Sequence, residues 1–271
     1  MTQQALDYNA TLIERFDITP RLAIFRVKPD EADYPFAAGQ YSVLGLKRCE
    51  KRLGEADPEE DDGRDPQQMI RRPYSICSGT QQHELEFYVS MLSGGELTPR
   101  LFQLRPGARL FLGPQARGFL TLENIPTDTN LLMVATGTGL GPYISMLRTH
   151  AYQFPADRIG IIHGARYSWD LGYRPELESY AARFKNIRYL PTISRPDVDP
   201  AWGGDHGRVQ RWLEAHDFEQ RFGFPLRPES CHVFLCGNPG MIEEATTFLT
   251  GLGYVEATRK QPGNLHVEKY W

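Results

Sequence analysis

Short apolar stretches that alternate with polar residues fill the first part of the chain, from residue 9 to about residue 112. Each stretch is rich in β-branched and aromatic residues, and Gly, Pro and Asp mark tight turns between them. The six stretches are ATLIERF (10–16), RLAIFRV (21–27), QYSVLGL (40–46), RPYSIC (72–77), LEFYVSM (85–91) and ARLFLG (108–113). Because no long helical pattern separates them, they predict an antiparallel β-barrel or sandwich.

The pattern changes after about residue 130, where each apolar strand is followed by a helix-like segment. Four such pairs occur: LLMVA with GPYISMLRTHAYQF, IGIIHGA with RPELESYAARF, IRYLPTIS with GRVQRWLEAH, and HVFLCG with GMIEEATTFLTGLG. Strands that alternate with helices predict a doubly wound parallel α/β sheet. The turn-rich segment 122–130 separates the two patterns, so we expect two domains, 1–124 and 125–271.

Charge and composition narrow the class of protein. The formal net charge is -4 and the hydrophobic content is 41%, so the chain carries no overall basic field and can build a sizeable core. We therefore expect neither a nucleic acid nor a membrane surface as a partner. No apolar run approaches the roughly 20 residues of a membrane span, and the first residues lack the pattern of a signal peptide. These features predict a cytoplasmic protein.

The four cysteines lack the spacing of a metal or cluster site. No C-x-x-C pair occurs, which argues against a built-in iron–sulfur cluster, and we expect no metal. The charged segment 47–68 predicts a long loop inserted in the first domain, and we expect its acidic run, residues 59–62, to be only solvated.

A glycine-rich turn follows the first strand of the second domain, in the sequence ATGTGLGPY. Gly137, Gly139 and Gly141 allow a close backbone approach, and Pro142 suits the first position of the next helix. Free N–H groups at a helix N-terminus attract anions. The spacing is G-x-G-x-G, and a tight strand-to-helix connection alone would also need glycine. The position at the carboxyl end of a parallel strand favours a nucleotide site.

Three arginines follow strand ends at the same edge of the predicted sheet: Arg166, Arg195 and Arg208. Arginine suits the 2'-phosphate of NADP, whereas an acidic residue at the ribose would favour NAD. Any one of these arginines could be a solvated loop charge. Together they favour NADP.

The first domain contains a second candidate anion site. In RRPYSICSGT, strand alternation sends Arg72 and Tyr74 to one face and Ser75 to the other. In SGGELTPRL, Thr98 resembles an N-cap and Pro99 a first helical residue, which predicts a helix start that presents N–H groups. An arginine, a tyrosine and a helix start form a candidate site for a pyrophosphate and a ring.

The motifs in chain order carry a family resemblance: RPYS, GGELTPRL, ATGTGLGPY, HGARY, TISRP, CGNPGM and the terminal VEKYW. This order resembles the plant-type ferredoxin–NADP reductase family, and the terminal Tyr-Trp resembles its bacterial branch that serves ferredoxin and flavodoxin. The resemblance spans residues 9–271. It implies an N-terminal antiparallel β-barrel that binds FAD and a C-terminal parallel α/β domain that binds NADP(H). Hydride would pass between NADPH and FAD. Single electrons would pass from FAD to ferredoxin or flavodoxin, or in the opposite direction.

The resemblance also assigns residues to FAD. Arg72 would meet the pyrophosphate, Tyr74 would stack on the isoalloxazine, and Ser75 would bond near N5. Tyr270 would cover the flavin face and Trp271 would stack on the adenine, so that the two form a displaceable lid. The complete set implied for FAD is Arg72, Pro73, Tyr74, Ser75, Tyr88, Val89, Ser90, Glu96, Leu97, Thr98, Thr138, Tyr270 and Trp271.

For NADP, the resemblance implies Ala165, Arg166, Ser194, Arg195 and Arg208, with Arg195 and Arg208 at the 2'-phosphate. The catalytic group would be Ser75, Cys236 and Glu268, with Cys236 beside the nicotinamide. We expect a monomer.

Two other interpretations remain open: a general flavin reductase or diaphorase without a dedicated protein partner, and a nucleotide-binding regulatory or electron-transfer subunit without activity of its own.

Overall fold

The structure is a computed structural model that describes residues 8–60, 62–150 and 158–269. The chain divides into two compact units, residues 1–118 and 119–271. The sequence prediction divides it after residue 124 instead, within the irregular segment 119–129 that leads into the second sheet. None of the helices in the described residues combines the length and the apolar character needed to cross a membrane.

The first unit is an antiparallel sheet of six strands. They are β1 (Ala10–Thr19), β2 (Leu22–Pro29), β3 (Tyr41–Lys47), β4 (Met69–Ser75), β5 (Leu85–Ser90) and β6 (Arg109–Leu112), in the order β4-β3-β6-β1-β2-β5. Just after β4, Ile76 forms a bridge with Phe87 of β5, which joins the two outer strands. The sheet therefore closes as the predicted barrel. A short helix, α1 (Thr98–Leu101), follows β5.

The barrel interior is apolar because inward positions alternate along its strands. Leu12, Leu44 and Phe87 are fully buried. Phe25 meets Phe102 edge to face, with ring centroids 5.4 Å apart. Backbone pairing keeps β4 in register with β3 and β5 in register with β2, and this fixes the positions of the residues on their outer faces.

The second unit is a parallel sheet, as the alternating pattern predicts. Its strands are β7 (Asn130–Thr136), β8 (Ile159–Ala165), β9 (Ile187–Ile193), β10 (Asp205–His206), β11 (Cys231–Gly237) and β12 (Leu265–Lys269), in the order β10-β9-β8-β7-β11-β12. Its helices are α2 (Gly141–His150), α3 (Arg174–Arg183), α4 (Gln210–Leu213), α5 (Phe218–Phe222) and α6 (Pro239–Gly251). The strand order reverses between β7 and β11, which is where such sheets bind ligands.

The segment 207–216, predicted as one helix, is different in the structure. A short strand, β10, precedes it, the helix α4 covers only Gln210–Leu213 within it, and a second helix, α5, follows it. Gly207 has φ +120°, and its carbonyl oxygen accepts a bond from the Thr192 hydroxyl at 2.9 Å. Trp212 Nε1 donates to the same hydroxyl at 3.2 Å. These bonds to β9 outweigh the helical pattern.

Candidate functional site

Strand β4 carries the first group of predicted site residues, and burial increases along this group instead of alternating. Arg72 and Pro73 are exposed, Tyr74 is half-buried and Ser75 is buried. Among the described residues, the Ser75 hydroxyl has no hydrogen-bond partner. Buried hydroxyl groups are normally paired, so this oxygen points to a partner from outside the chain. The Ser75 hydroxyl could therefore form a hydrogen bond to a polar ring of a bound ligand.

The Tyr74 side chain packs against the barrel core. Burial raises the pKa of its phenol well above the ordinary value, although the Arg72 charge works against the rise. The phenol is therefore neutral at physiological pH. A neutral, half-buried aromatic ring beside an arginine suits a flat heterocycle that carries phosphate.

Strand β5 supplies Tyr88, Val89 and Ser90. Val89 packs in the barrel core and Tyr88 is buried, whereas Ser90 is half-buried. A ligand outside the barrel could therefore meet Val89 only through its backbone.

The loop after β5, residues 92–98, differs from the prediction at Thr98. Leu97, not Thr98, is the N-cap of α1, which has four residues. The Thr98 hydroxyl instead accepts a bond from Leu92 N at 3.0 Å and closes the loop on itself. Leu97 is buried in the core. Glu96 accepts a bond from Arg72 at 2.6 Å, so the loop and β4 meet at that pair.

The acidic run of the charged insertion is not simply solvated, contrary to our expectation. Glu59 pairs with Arg100 at 2.6 Å, and the Arg100 hydrogen bond lowers the pKa of Glu59. Asp62 pairs with Arg48 at 3.1 Å and also with Arg64. The acids interact because the insertion lies against the 92–98 loop, a contact that local sequence does not encode.

In the second unit, the glycine-rich turn is a 3-10 helix, Gly137–Leu140, that includes the half-buried Thr138. A Cβ on Gly139 would lie 2.6 Å from the Cα of Gly237 and closer still to the Cys236 carbonyl oxygen. Only glycine fits here, because the turn after β7 packs directly on the end of β11. The Thr136 hydroxyl also accepts a bond from Asn238 N at 2.9 Å.

Cys236 and Glu268 lie together at this edge. They are in register on the parallel strands β11 and β12; Cys236 is fully buried and Glu268 is half-buried. Tyr143 is buried beside them, and its hydroxyl donates to Val134 O at 3.2 Å. Burial raises the pKa of Tyr143, and interactions with Cys236 and Glu268 raise it further. Sequence reasoning missed Tyr143, although its place just after the glycine-rich turn was a usable signal.

The structure brings four predicted NADP residues together. Ser194 N donates to Ala165 O at 2.9 Å, and Arg195 N donates to Arg166 O at 3.1 Å. Arg208 is exposed and follows β10, whose His206 pairs with Ile193 of β9. Because parallel strands keep register, Arg208 leaves β10 level with Arg195.

Two aromatic residues beside these arginines were missed. Tyr167 and Trp169 stack with ring centroids 4.8 Å apart, and Trp169 is 48% exposed. Arg195 donates to the Tyr167 hydroxyl at 3.3 Å. The signal was present in the sequence, since both aromatics directly follow the end of β8. An exposed aromatic pair beside cations suits a nucleotide base.

The last strand, β12, ends at Lys269. The predicted lid residues Tyr270 and Trp271 lie outside the described residues. The parallel pairing of β12 with β11 places Glu268 opposite Cys236 and Lys269 opposite Gly237.

Comparison with known proteins agrees with this architecture. The oxidoreductase NAD-binding domain family matches residues 133–247. Flavodoxin/ferredoxin–NADP reductases from Shigella flexneri and from Escherichia coli (strain K12) are each 32% identical to this chain over 251 residues. These matches cover 92% of this chain and 93% of each relative.

A crystal structure of a ferredoxin NADP+ reductase from Neisseria gonorrhoeae, with bound FAD and NADP, superposes with a TM-score of 0.80 and 26% identity. The match covers 96% of this chain and 97% of that one. Both folds and nearly the whole length are therefore shared, and the chain belongs to the flavodoxin/ferredoxin–NADP reductase family.

Proposed function

We propose that this chain is an FAD-dependent ferredoxin/flavodoxin–NADP reductase of the plant-type, bacterial branch. It transfers hydride between NADPH and FAD and single electrons to or from ferredoxin or flavodoxin. The observation that carries this proposal is the match, over both units, to a reductase whose structure holds FAD and NADP. The orphaned Ser75 hydroxyl and the arginines after β8, β9 and β10 fit these two cofactors.

The barrel residues bind and orient FAD. Bound flavin supplies the redox chemistry, because it exchanges a hydride with nicotinamide and single electrons with a protein partner. Arg72 binds the pyrophosphate, the Tyr74 ring stacks on the isoalloxazine, and the Ser75 hydroxyl bonds near its N5. The remaining barrel contacts come from Pro73, Tyr88, Val89, Ser90, Glu96, Leu97 and Thr98. The family resemblance adds Thr138, from the glycine-rich turn of the second unit.

The residues of the second unit bind and orient NADPH. Arg195 and Arg208 bind the 2'-phosphate through charge-assisted bonds, while Ala165, Arg166 and Ser194 line the nucleotide. Cys236 lies at the nicotinamide, and the carboxyl group of Glu268 joins it in a polar group at the reacting atoms. Tyr270 and Trp271 cover the flavin and give way to nicotinamide.

The partner is an acidic electron-transfer protein, ferredoxin or flavodoxin. We place the enzyme in the cytoplasm as a monomer, without a nucleic acid or membrane partner. The net charge of -4 agrees with the absence of a nucleic acid partner.

An anaerobic titration tests the function. The purified protein is titrated with NADPH and separately with NADH, and its visible absorbance is recorded. We expect a yellow protein that about one equivalent of NADPH bleaches and NADH bleaches poorly. A protein that stays colourless after addition of FAD would exclude a flavin enzyme. Rapid reduction of free flavin, with no electron transfer to ferredoxin or flavodoxin, would show a general flavin reductase instead.

A further inference from the structure

The charged insertion, residues 47–68, is fixed to the 92–98 loop and the start of α1. Leu53 N donates to Pro99 O at 2.9 Å, and Asp57 N donates to Ser93 O at 3.1 Å. The insertion is therefore an ordered part of the barrel surface, next to the loop that we assign to the FAD pyrophosphate.

Two arginines hold the backbone of that loop. Arg52 donates to Gly95 O at 3.0 Å, and Arg100 donates to Glu96 O at 2.7 Å. Arg100, which is almost fully buried, also donates to Arg48 O at 2.6 Å. These bonds fix the loop and the start of the insertion against each other.

Three further arginines converge on the carboxylate of Glu96. Arg48, Arg64 and Arg72 donate to it at 2.9, 2.7 and 2.6 Å. Burial disfavours the ionised form of Glu96, but the bonds from Arg64, Arg72 and Arg48 outweigh it and lower the pKa of this carboxyl. Glu96 is therefore charged at neutral pH.

The ion-paired group carries an excess of positive charge. Two carboxylates, Glu96 and Asp62, face the three guanidinium groups of Arg48, Arg64 and Arg72. The side chains of Arg64 and Arg72 are 47% and 51% exposed, whereas Arg48 is only 8% exposed. Two cations are thus accessible to a ligand, and the third is an internal brace.

We propose that the insertion completes the flavin site: Arg64 binds the FAD pyrophosphate together with Arg72, and Arg48 positions both through Glu96. This inference rests on the proposed function, in which the barrel binds FAD. A pyrophosphate diester carries two negative charges. Arg64 and Arg72 bind the same carboxylate, and each keeps N–H groups for the pyrophosphate oxygens, because a guanidinium carries five donors and Glu96 and Asp62 take only some of them.

FAD retention by the holoenzyme tests the role of Arg64. The flavin released on serial dilution is followed by its fluorescence, at low and at high NaCl. Arg64→Ala should weaken FAD binding about tenfold or more at low salt and reduce the salt dependence, since one cation–phosphate contact is lost. Arg64→Lys should recover part of the affinity. Arg71→Ala is the charge-matched control, because Arg71 lies over the Phe111 ring instead.

A second measurement separates binding from a purely structural role. With free FAD raised in proportion to its weaker Kd, Arg64→Ala should unfold at the same temperature as wild type, since stabilisation by a ligand depends on the ratio of its free concentration to Kd. A lower unfolding temperature at this matched ratio of FAD to Kd would show that Arg64 braces the insertion. FAD retention equal to wild type, or equal to that of Arg71→Ala, would also overturn the inference and leave the proposed function intact. A wild-type protein that does not bind FAD would instead defeat the proposed function itself.

Discussion

Cys236 and Glu268 stand in register on the neighbouring parallel strands β11 and β12, so their side chains leave the sheet on the same side. Both residues also interact with the buried Tyr143 hydroxyl. The thiol of Cys236 and the carboxyl group of Glu268 are therefore neighbours at the carboxyl ends of these two strands.

This pair leads to a prediction for hydride transfer. Cys236→Ala and Glu268→Gln should each slow flavin reduction by NADPH about tenfold or more with a smaller effect on Kd, because they act at the reacting atoms and not at the phosphate. Stopped-flow absorbance at saturating NADPH measures the rate. Cys231→Ala is a control, since this buried cysteine lies at the opposite end of β11. An equal loss in that control would indicate a packing effect.

The second prediction concerns nucleotide choice. Arg195→Ala with Arg208→Ala should reduce kcat/KM for NADPH about 100-fold and that for NADH much less, since only NADPH carries the 2'-phosphate. Steady-state kinetics with NADPH and with NADH measure both kcat/KM values.

The charge-matched control for this pair is Arg183→Ala with Arg188→Ala, at the end of α3 and the start of β9. Equal losses with both nucleotides would mean that Arg195 and Arg208 are misassigned.

The third prediction concerns the glycine-rich turn. Gly139→Ala should destabilise the fold by on the order of 3 kcal/mol and abolish NADPH binding, because the new methyl group would overlap Cys236 and Gly237. Chemical denaturation and nucleotide titration measure the two effects. Gly251→Ala, in α6, is the control and should be neutral or stabilising, since its Cβ would meet nothing within 4 Å. A stable Gly139→Ala protein that binds NADPH would contradict the packing argument.

The fourth prediction is a loss of stability in acid. Burial, and secondarily His232, lower the pKa of His266 to about 4. In the unfolded chain a histidine has a pKa near 6.5, so it binds a proton more readily there than in the fold. The resulting loss in the free energy of unfolding is absent above pH 6.5, grows as the pH falls, and levels off below about pH 4 at up to roughly 3 kcal/mol.

Thermal unfolding between pH 4 and 7 tests this titration. His266→Gln should unfold with a shallower pH dependence than wild type, because glutamine does not titrate. His206→Gln, at an exposed position, is the control. Parallel pH profiles for His266→Gln and wild type would exclude His266 as the cause.

The fifth prediction concerns the chain end. Deletion of Tyr270 and Trp271 should tighten NADPH binding about tenfold and weaken FAD retention, because the lid competes with nicotinamide and stacks on adenine. Nucleotide titration and flavin fluorescence measure the two effects. Substitution of Lys269 by Ala, which leaves both rings in place, is the control. Unchanged affinity for both cofactors after the deletion would rule out a lid.

The strands could be predicted because their signal is local. Alternation and the short apolar runs give all six barrel strands within a few residues, and β8 (Ile159–Ala165) matches its predicted bounds. The arginines at one edge were predictable for a related reason, since the ends of successive parallel strands must meet. The prediction of one helix over 207–216 was wrong because Thr192, on another strand, binds the Gly207 carbonyl oxygen and the Trp212 indole N–H.

The sequence by itself determined the two folds, the order of their motifs and the residues at the carboxyl edge of the parallel sheet. These features follow from periodicity and turn chemistry within short windows of chain. Only the tertiary structure decided that Arg48 and Arg64 meet Glu96, that Tyr143 lies beside Cys236, and that Tyr167 stacks on Trp169 near Arg195. Most of these are contacts between distant parts of the chain, and their partners are chosen by packing and charge after the strands have come together.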